Sequence, residues 1–170
     1  MNKIRGWYVF FVLIFLCLLT SPLFAQNTEE FAKDWSFSWV FKAESIEFTM
    51  SAPTTGWISL GFNPTKRMKD ADYILAYVKD GKVYISDEYG TGNTSHSSDV
   101  SLGGQESAKA TSFKEEAKKT TITFSLPLNS GDRYDTVFVE GETCKVLGAY
   151  GTSKNFSARH KKRDSIEITL

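Results

Sequence analysis

From Trp35 onward, apolar and polar residues alternate with a period of two, and that pattern leaves few folds open to the chain. Trp35, Phe37, Trp39 and Phe41 fall on one side of an extended segment, with Ser36, Ser38 and Val40 on the other. Ile46, Phe48 and Met50 repeat the pattern, and Pro53-Thr-Thr-Gly56 turns the chain into Trp57–Phe62. Tyr73–Val78 is apolar on both faces, the mark of a central strand, and Asp80-Gly81 is a two-residue hairpin turn into Lys82–Asp87. Residues 90–112, rich in Gly, Ser and Thr, are expected to be the longest irregular stretch. Beyond them, Phe113–Lys118, Thr120–Leu126, Tyr134–Val139, Thr143–Ala149 and Ser165–Leu170 read as further strands. No segment sustains a 3.6-residue apolar period, and no internal repeat is found. The expected fold is all-β, an antiparallel immunoglobulin-like sandwich of about 9–11 strands over residues 35–170, with 26–34 as a polar lead-in.

The N-terminus obeys a different rule. Lys3 and Arg5 precede the unbroken apolar run Trp7–Leu19, Pro22 follows, and Ala25 is a small residue suited to a cut. Residues 1–25 therefore read as a secretory signal peptide with cleavage near Ala25, since the run is short of the ~20 residues that span a bilayer. The expected product is secreted or periplasmic. Lipid attachment at Cys17 is disfavoured by the bulky Leu16 before it.

The full chain has 20 basic and 20 acidic residues, and the signal carries two of the bases, so the mature domain is weakly acidic. It has no basic stripe, which argues against nucleic acid as a partner. Cys144 is the sole cysteine after residue 25, so an internal disulfide is excluded, as is covalent haem attachment through Cys-x-x-Cys-His. In the strand beginning at Thr143 it reads as a small buried apolar residue. No nucleophile elbow, zinc motif or phosphate loop occurs, and two histidines leave little for acid–base catalysis, so no enzymatic activity is expected.

By residue type alone, Met68, between Arg67 and Lys69, is a gap-filling side chain in a polar loop, and His160 belongs to a solvated basic run with Arg159, Lys161 and Lys162. His96 reads as a surface residue. Asp70 and Asp72 are too few for a dedicated calcium loop, and Asp72 is expected to fix its own loop by accepting backbone hydrogen bonds. Asn93-Thr-Ser95 and Asn155-Phe-Ser157 match the glycosylation pattern.

Four blocks in order add a further reading. They are Gly56-Trp-Ile-Ser-Leu-Gly-Phe62 with Met68, Ala71 and Asp72; Ser86-Asp87; Pro127–Asp135; and Ala149-Tyr-Gly151 followed by His160. Together they resemble a DOMON domain across most of residues 34–170. The resemblance implies an antiparallel β-sandwich of one of two kinds: a haem b module that carries single electrons, or a haem-free carbohydrate-binding or interaction module. For the first kind it implies Met68 and His160 as axial iron ligands, although 92 positions separate them. Trp57, Phe62 and Tyr150 are then expected to wall the macrocycle, and Arg67, Lys69 and Arg159 to pair with its propionates. His96 is the alternative axial donor. Because the chain stops at Leu170, the expected electron partner is a separate redox protein or membrane cytochrome.

Overall fold

The computed structural model describes residues 26–170. The signal peptide expected at 1–25, with Cys17 and the cut near Ala25, lies outside the described residues. Eleven strands follow in order: β1 (Asn27–Ala32), β2 (Trp35–Phe41), β3 (Ser45–Ala52), β4 (Ile58–Phe62), β5 (Asp72–Lys79), β6 (Lys82–Gly92), β7 (Ser95–Ser98), β8 (Lys109–Glu116), β9 (Lys119–Pro127), β10 (Thr143–Tyr150) and β11 (Lys162–Thr169). They form a five-stranded sheet ordered β1-β2-β3-β9-β8 and a six-stranded sheet ordered β11-β10-β4-β5-β6-β7. Every strand pairing is antiparallel, as expected for the sandwich.

The period-two pattern explains the core. Phe37 and Trp39 of β2, Ile46, Phe48 and Met50 of β3, and Ile122, Phe124 and Leu126 of β9 face inward from one sheet. Ile58, Leu60 and Phe62 of β4, Ile74 and Ala76 of β5, and Cys144 and Val146 of β10 meet them from the other. Phe48 joins the two layers, with ring centroids 4.8 Å from Phe62, 5.7 Å from Phe124 and 5.6 Å from Phe138. Cys144 is fully buried, and that burial pushes its thiol up to about 12, so it serves as a small apolar side chain. The Asp80-Gly81 turn has positive φ at both residues, 52° and 69°, the backbone of a tight hairpin.

Three segments differ from expectation. The polar lead-in contains β1, whose one inward aromatic, Phe31, packs 4.7 Å from Trp35 and 5.2 Å from Phe37. One apolar residue is too few to leave a periodic signal. Tyr134–Val139 is not a strand. Its backbone bonds go to scattered partners, Thr136 N–H to the Asp72 carboxylate (2.8 Å) and Phe138 N–H to the Leu128 carbonyl (2.9 Å), so no ladder forms. Residues 90–112 hold the end of β6, all of β7, a 3-10 turn at Asp99–Leu102 and the start of β8. β7 and β8 are edge strands, the first half-buried among polar side chains and the second largely exposed, so they need no apolar alternation.

Candidate functional site

An antiparallel sheet with one free side normally presents polar residues there. The outer face of the six-stranded sheet does not. Trp57, Ala71, Tyr73 and Leu75 are buried there at 0–6% exposure, and half-buried Met68, Tyr77, Leu147, Ala149 and Phe156 pack against them. The signal for this second cluster was the two-faced apolarity of Tyr73–Val78: Ile74, Ala76 and Val78 face the sandwich core, while Tyr73, Leu75 and Tyr77 face out. Glycine makes room for one of these rings. A Cβ on Gly61 would lie 2.3 Å from the Tyr73 ring.

Two loops cover the cluster. In the first, Lys66 and Lys69 bridge across a tight turn with Arg67 at φ 55°, and Met68 sits at its tip with its side chain on the cluster. The turn is fastened to the end of β6, because Asp70 N–H donates to the Gly90 carbonyl and Gly90 N–H donates to the Ala71 carbonyl, each at 2.8 Å. Asp70 accepts from the Thr65 hydroxyl and from the Tyr89 hydroxyl, and the Thr65 bond is the main reason its carboxyl stays below the usual range. Lys69 pairs with Asp70 at 3.8 Å.

The second loop, residues 151–161, carries Phe156 onto the cluster 4.9 Å from Tyr77 and ends at His160. It is tied to Trp57 by Gly151 N–H to the Trp57 carbonyl and Trp57 N–H to the Ser153 carbonyl, both 2.9 Å. The buried Thr54 hydroxyl donates to the Gly151 carbonyl at 2.6 Å and accepts from Gly56 N–H at 2.9 Å. Thr54→Val keeps the volume but leaves both groups unpaired. It is expected to cost about 1–3 kcal/mol in urea unfolding and to loosen this loop.

His160 is half-buried, and burial, followed by the charges of Arg163 and Arg159, lowers its pKa, which favours the neutral imidazole. Arg163, whose charge acts on His160, also acts electrostatically on Tyr73 of the cluster. Arg67 and Arg159 are exposed. The buried Trp57 indole N–H and Tyr73 hydroxyl have no hydrogen-bond partner.

Of the aromatic residues expected to line the site, Trp57 lies in this outer cluster, whereas Phe62 and Tyr150 lie in the interior. Phe62 meets Phe48 and Phe138, and Tyr150 meets Trp35 edge-on at 5.1 Å. The reason is parity: Phe62 shares a face with Ile58 and Leu60, and Tyr150 with Cys144 and Val146. Tyr73, Leu75, Leu147 and Phe156 take the places expected for them. His96, read as a surface residue, lies at the same outer face, its ring 6.0 Å from that of Tyr73 and its Nδ1 against the Glu88 carboxylate. Asp72 does not fix its own loop. It is buried and accepts from Thr136, 64 positions away.

A profile of the DOMON domain matches residues 32–151. The chain is 31% identical over 137 residues to mouse (Mus musculus) DBH-like monooxygenase protein 2 and 27% identical over 133 residues to human DBH-like monooxygenase protein 1. Each match covers 78% of this chain but only 21% of the relative, so the chain spans about a fifth of those proteins' length. Among solved structures it is similar to the cytochrome b domain of Coprinopsis cinerea pyranose dehydrogenase, with TM-score 0.57 and 12% identity over 80% of this chain and 76% of that one. It is also similar to the cytochrome domain of Myriococcum thermophilum cellobiose dehydrogenase, with TM-score 0.58 and 12% identity over 86% and 82%. At that identity the likeness concerns the fold. The family match, the ordered blocks and the two antiparallel sheets agree, and this chain belongs to the DOMON domain family.

Proposed function

We propose that this domain holds haem b against the outer face of the six-stranded sheet, with Met68 and His160 as axial ligands, and exchanges single electrons with a separate redox partner. The observation that supports the reading is the second apolar cluster. Large apolar side chains occupy a face that water would otherwise wet, and the loops covering them carry Met68 and His160. The donor set fits the group. A thioether and an imidazole whose neutral form is favoured by burial and neighbouring arginines are both available to iron. Haem supplies a one-electron centre, and a methionine ligand favours its ferrous state.

The remaining side chains exclude water and bind the periphery. Trp57, Tyr73, Leu75 and Leu147 offer the apolar wall. Arg163, Arg159 and Arg67 offer cations for propionates, and the unpartnered Trp57 N–H and Tyr73 hydroxyl offer donors. With Met68 and His160 both holding the iron, the haem would supply one-electron transfer and not substrate chemistry, so the reading is an electron carrier. Export by the N-terminal segment would place it outside the cytoplasm. The dehydrogenase origin of the similar cytochrome domains favours a dehydrogenase as partner.

Haem-reconstituted protein is expected to show a Soret band and low-spin reduced bands. Met68→Ala should shift these toward a high-spin spectrum, and His160→Ala should lower haem affinity by tenfold or more. No Soret absorbance in the wild-type protein would end the reading. His96 carries a second assignment, since a carboxylate on Nδ1 is the usual support of a metal-binding histidine. If His96→Ala removes the low-spin bands and His160→Ala does not, His96 is the ligand. Oligosaccharide binding by haem-free protein would favour the carbohydrate reading, for which exposed Tyr84, stacked 5.0 Å from Tyr77, is the available ring.

A further inference from the structure

On the inner side of the six-stranded sheet, the side opposite the outer cluster, four aspartates converge. Asp72 of β5 and Asp87 of β6 face inward, Asp99 opens the 3-10 turn, and Asp135 lies in the segment between β9 and β10. One oxygen from each of Asp87, Asp99 and Asp135 lies within 4.8 Å of the others. Asp72, Asp87 and Asp99 are 0–3% exposed. The charges that raise the pKa of Asp72 are those of Asp87, Asp135 and Asp99, after burial itself.

The hydrogen bonding is one-sided. Asp87 Oδ2 accepts from Ser107 N–H (2.9 Å) and Ala108 N–H (3.1 Å). Asp135 Oδ2 accepts from the Ser107 hydroxyl (2.6 Å), and Asp72 Oδ2 from Thr136 N–H (2.8 Å). The other oxygen of each, and both oxygens of Asp99, are buried without a hydrogen-bond partner. Anchoring one oxygen each of Asp72, Asp87 and Asp135 holds their other oxygens in place, as a chelating site requires. Unpartnered buried carboxylate oxygens are costly unless something positive meets them.

We infer that Asp87, Asp99 and Asp135, with Asp72 beside them, form a structural calcium site that joins β5 and β6 to the 3-10 turn and to the segment carrying Asp135. All-oxygen donors suit a hard cation. Calcium–oxygen bonds of about 2.3–2.6 Å put ligands of one ion within roughly 5 Å of each other. This site is independent of haem.

Burial is the main cause that pushes Asp87 up to about 7 and Asp99 up to about 8. These folded values exceed the unfolded ones. Without metal, their contribution to stability is fully present below the ordinary carboxyl value of 3.8 and is lost progressively as pH rises from there to 7 and 8.

The test is thermal unfolding of the full mature chain at pH 7.5, first with EDTA and then with CaCl2. At a hundredfold excess over Kd, calcium is expected to raise Tm by about 5–10 °C. Asp99→Asn and Asp135→Asn should each abolish that rise, while their Tm in EDTA stays equal to or above wild type because repulsion is removed. Either variant suffices if the other does not fold. A wild-type Tm unchanged by millimolar calcium overturns the site. A Tm that rises only on acidification in EDTA, with no calcium response at pH 7.5, does so as well and assigns the cluster a shared proton.

Discussion

Gly90→Ala is expected to destabilise the domain by about 3 kcal/mol or more and to release the Met68 turn from the sheet. A Cβ at this position would lie 1.8 Å from the Met68 carbonyl oxygen and 2.9 Å from its carbonyl carbon. Those are backbone atoms, so no rotamer change relieves the clash. Either the end of β6 or the turn at 66–69 has to move, and moving either breaks the bonds between Gly90 and Asp70 and Ala71. The strand is paired with β5 along its length up to Tyr89, so the turn is the part free to yield. Urea unfolding measures the loss. In haem-reconstituted protein the same variant should lose its low-spin spectrum, as Met68→Ala does, although the methionine is intact. A variant as stable as wild type, with unchanged spectrum, would show that this contact does not set the loop's position.

Phe48→Ala is expected to cost about 3–5 kcal/mol, lowering Tm by about 10 °C, the largest effect of any single core truncation proposed for this domain. Phe48 is fully buried in β3 and touches aromatic rings from both sheets, Phe124 in its own and Phe62 in the other, as well as Phe138 from the segment before β10. Truncation removes the ring's own burial and leaves a cavity lined by three rings. Because strand ladders in the two sheets hold the rings of Phe62 and Phe124, the cavity cannot collapse cheaply. Phe48→Leu should recover more than half of the loss. Thermal and urea unfolding of both variants check this, and a cost under about 1 kcal/mol for alanine would mean the core repacks freely.

These effects bear on what could be read in advance. The strands with buried inward faces, β2, β3, β4, β5, β9 and β10, were legible because burial on one side imposes a period of two. β1 and β7 were not, because an edge strand is defined by its pairing and needs only one or two inward apolar groups, such as Phe31. Tyr134–Val139 has strand-like residues, yet its N–H groups are drawn to Asp72 and Leu128, partners that sequence cannot supply.

The candidate site divides in the same way. Met68, His160 and Trp57 were marked by the blocks around them. Phe62 and Tyr150 were placed near those loops by position in the chain, but strand parity turns their side chains into the core. Phe156, Leu147 and His96 gave no local hint of a common surface. Fold-level topology alone puts β10, β4 and β5 side by side and swings the 151–161 loop over them.

What the sequence determined by itself was the all-β sandwich, its inward-facing residues and the family, because alternation and block order are properties of the chain read along its length. Only the tertiary structure decided which face each loop covers, and that four aspartates from 64 positions of chain share one buried corner. Side-chain direction in a strand is local, but which strands become neighbours is set by the burial of the whole core.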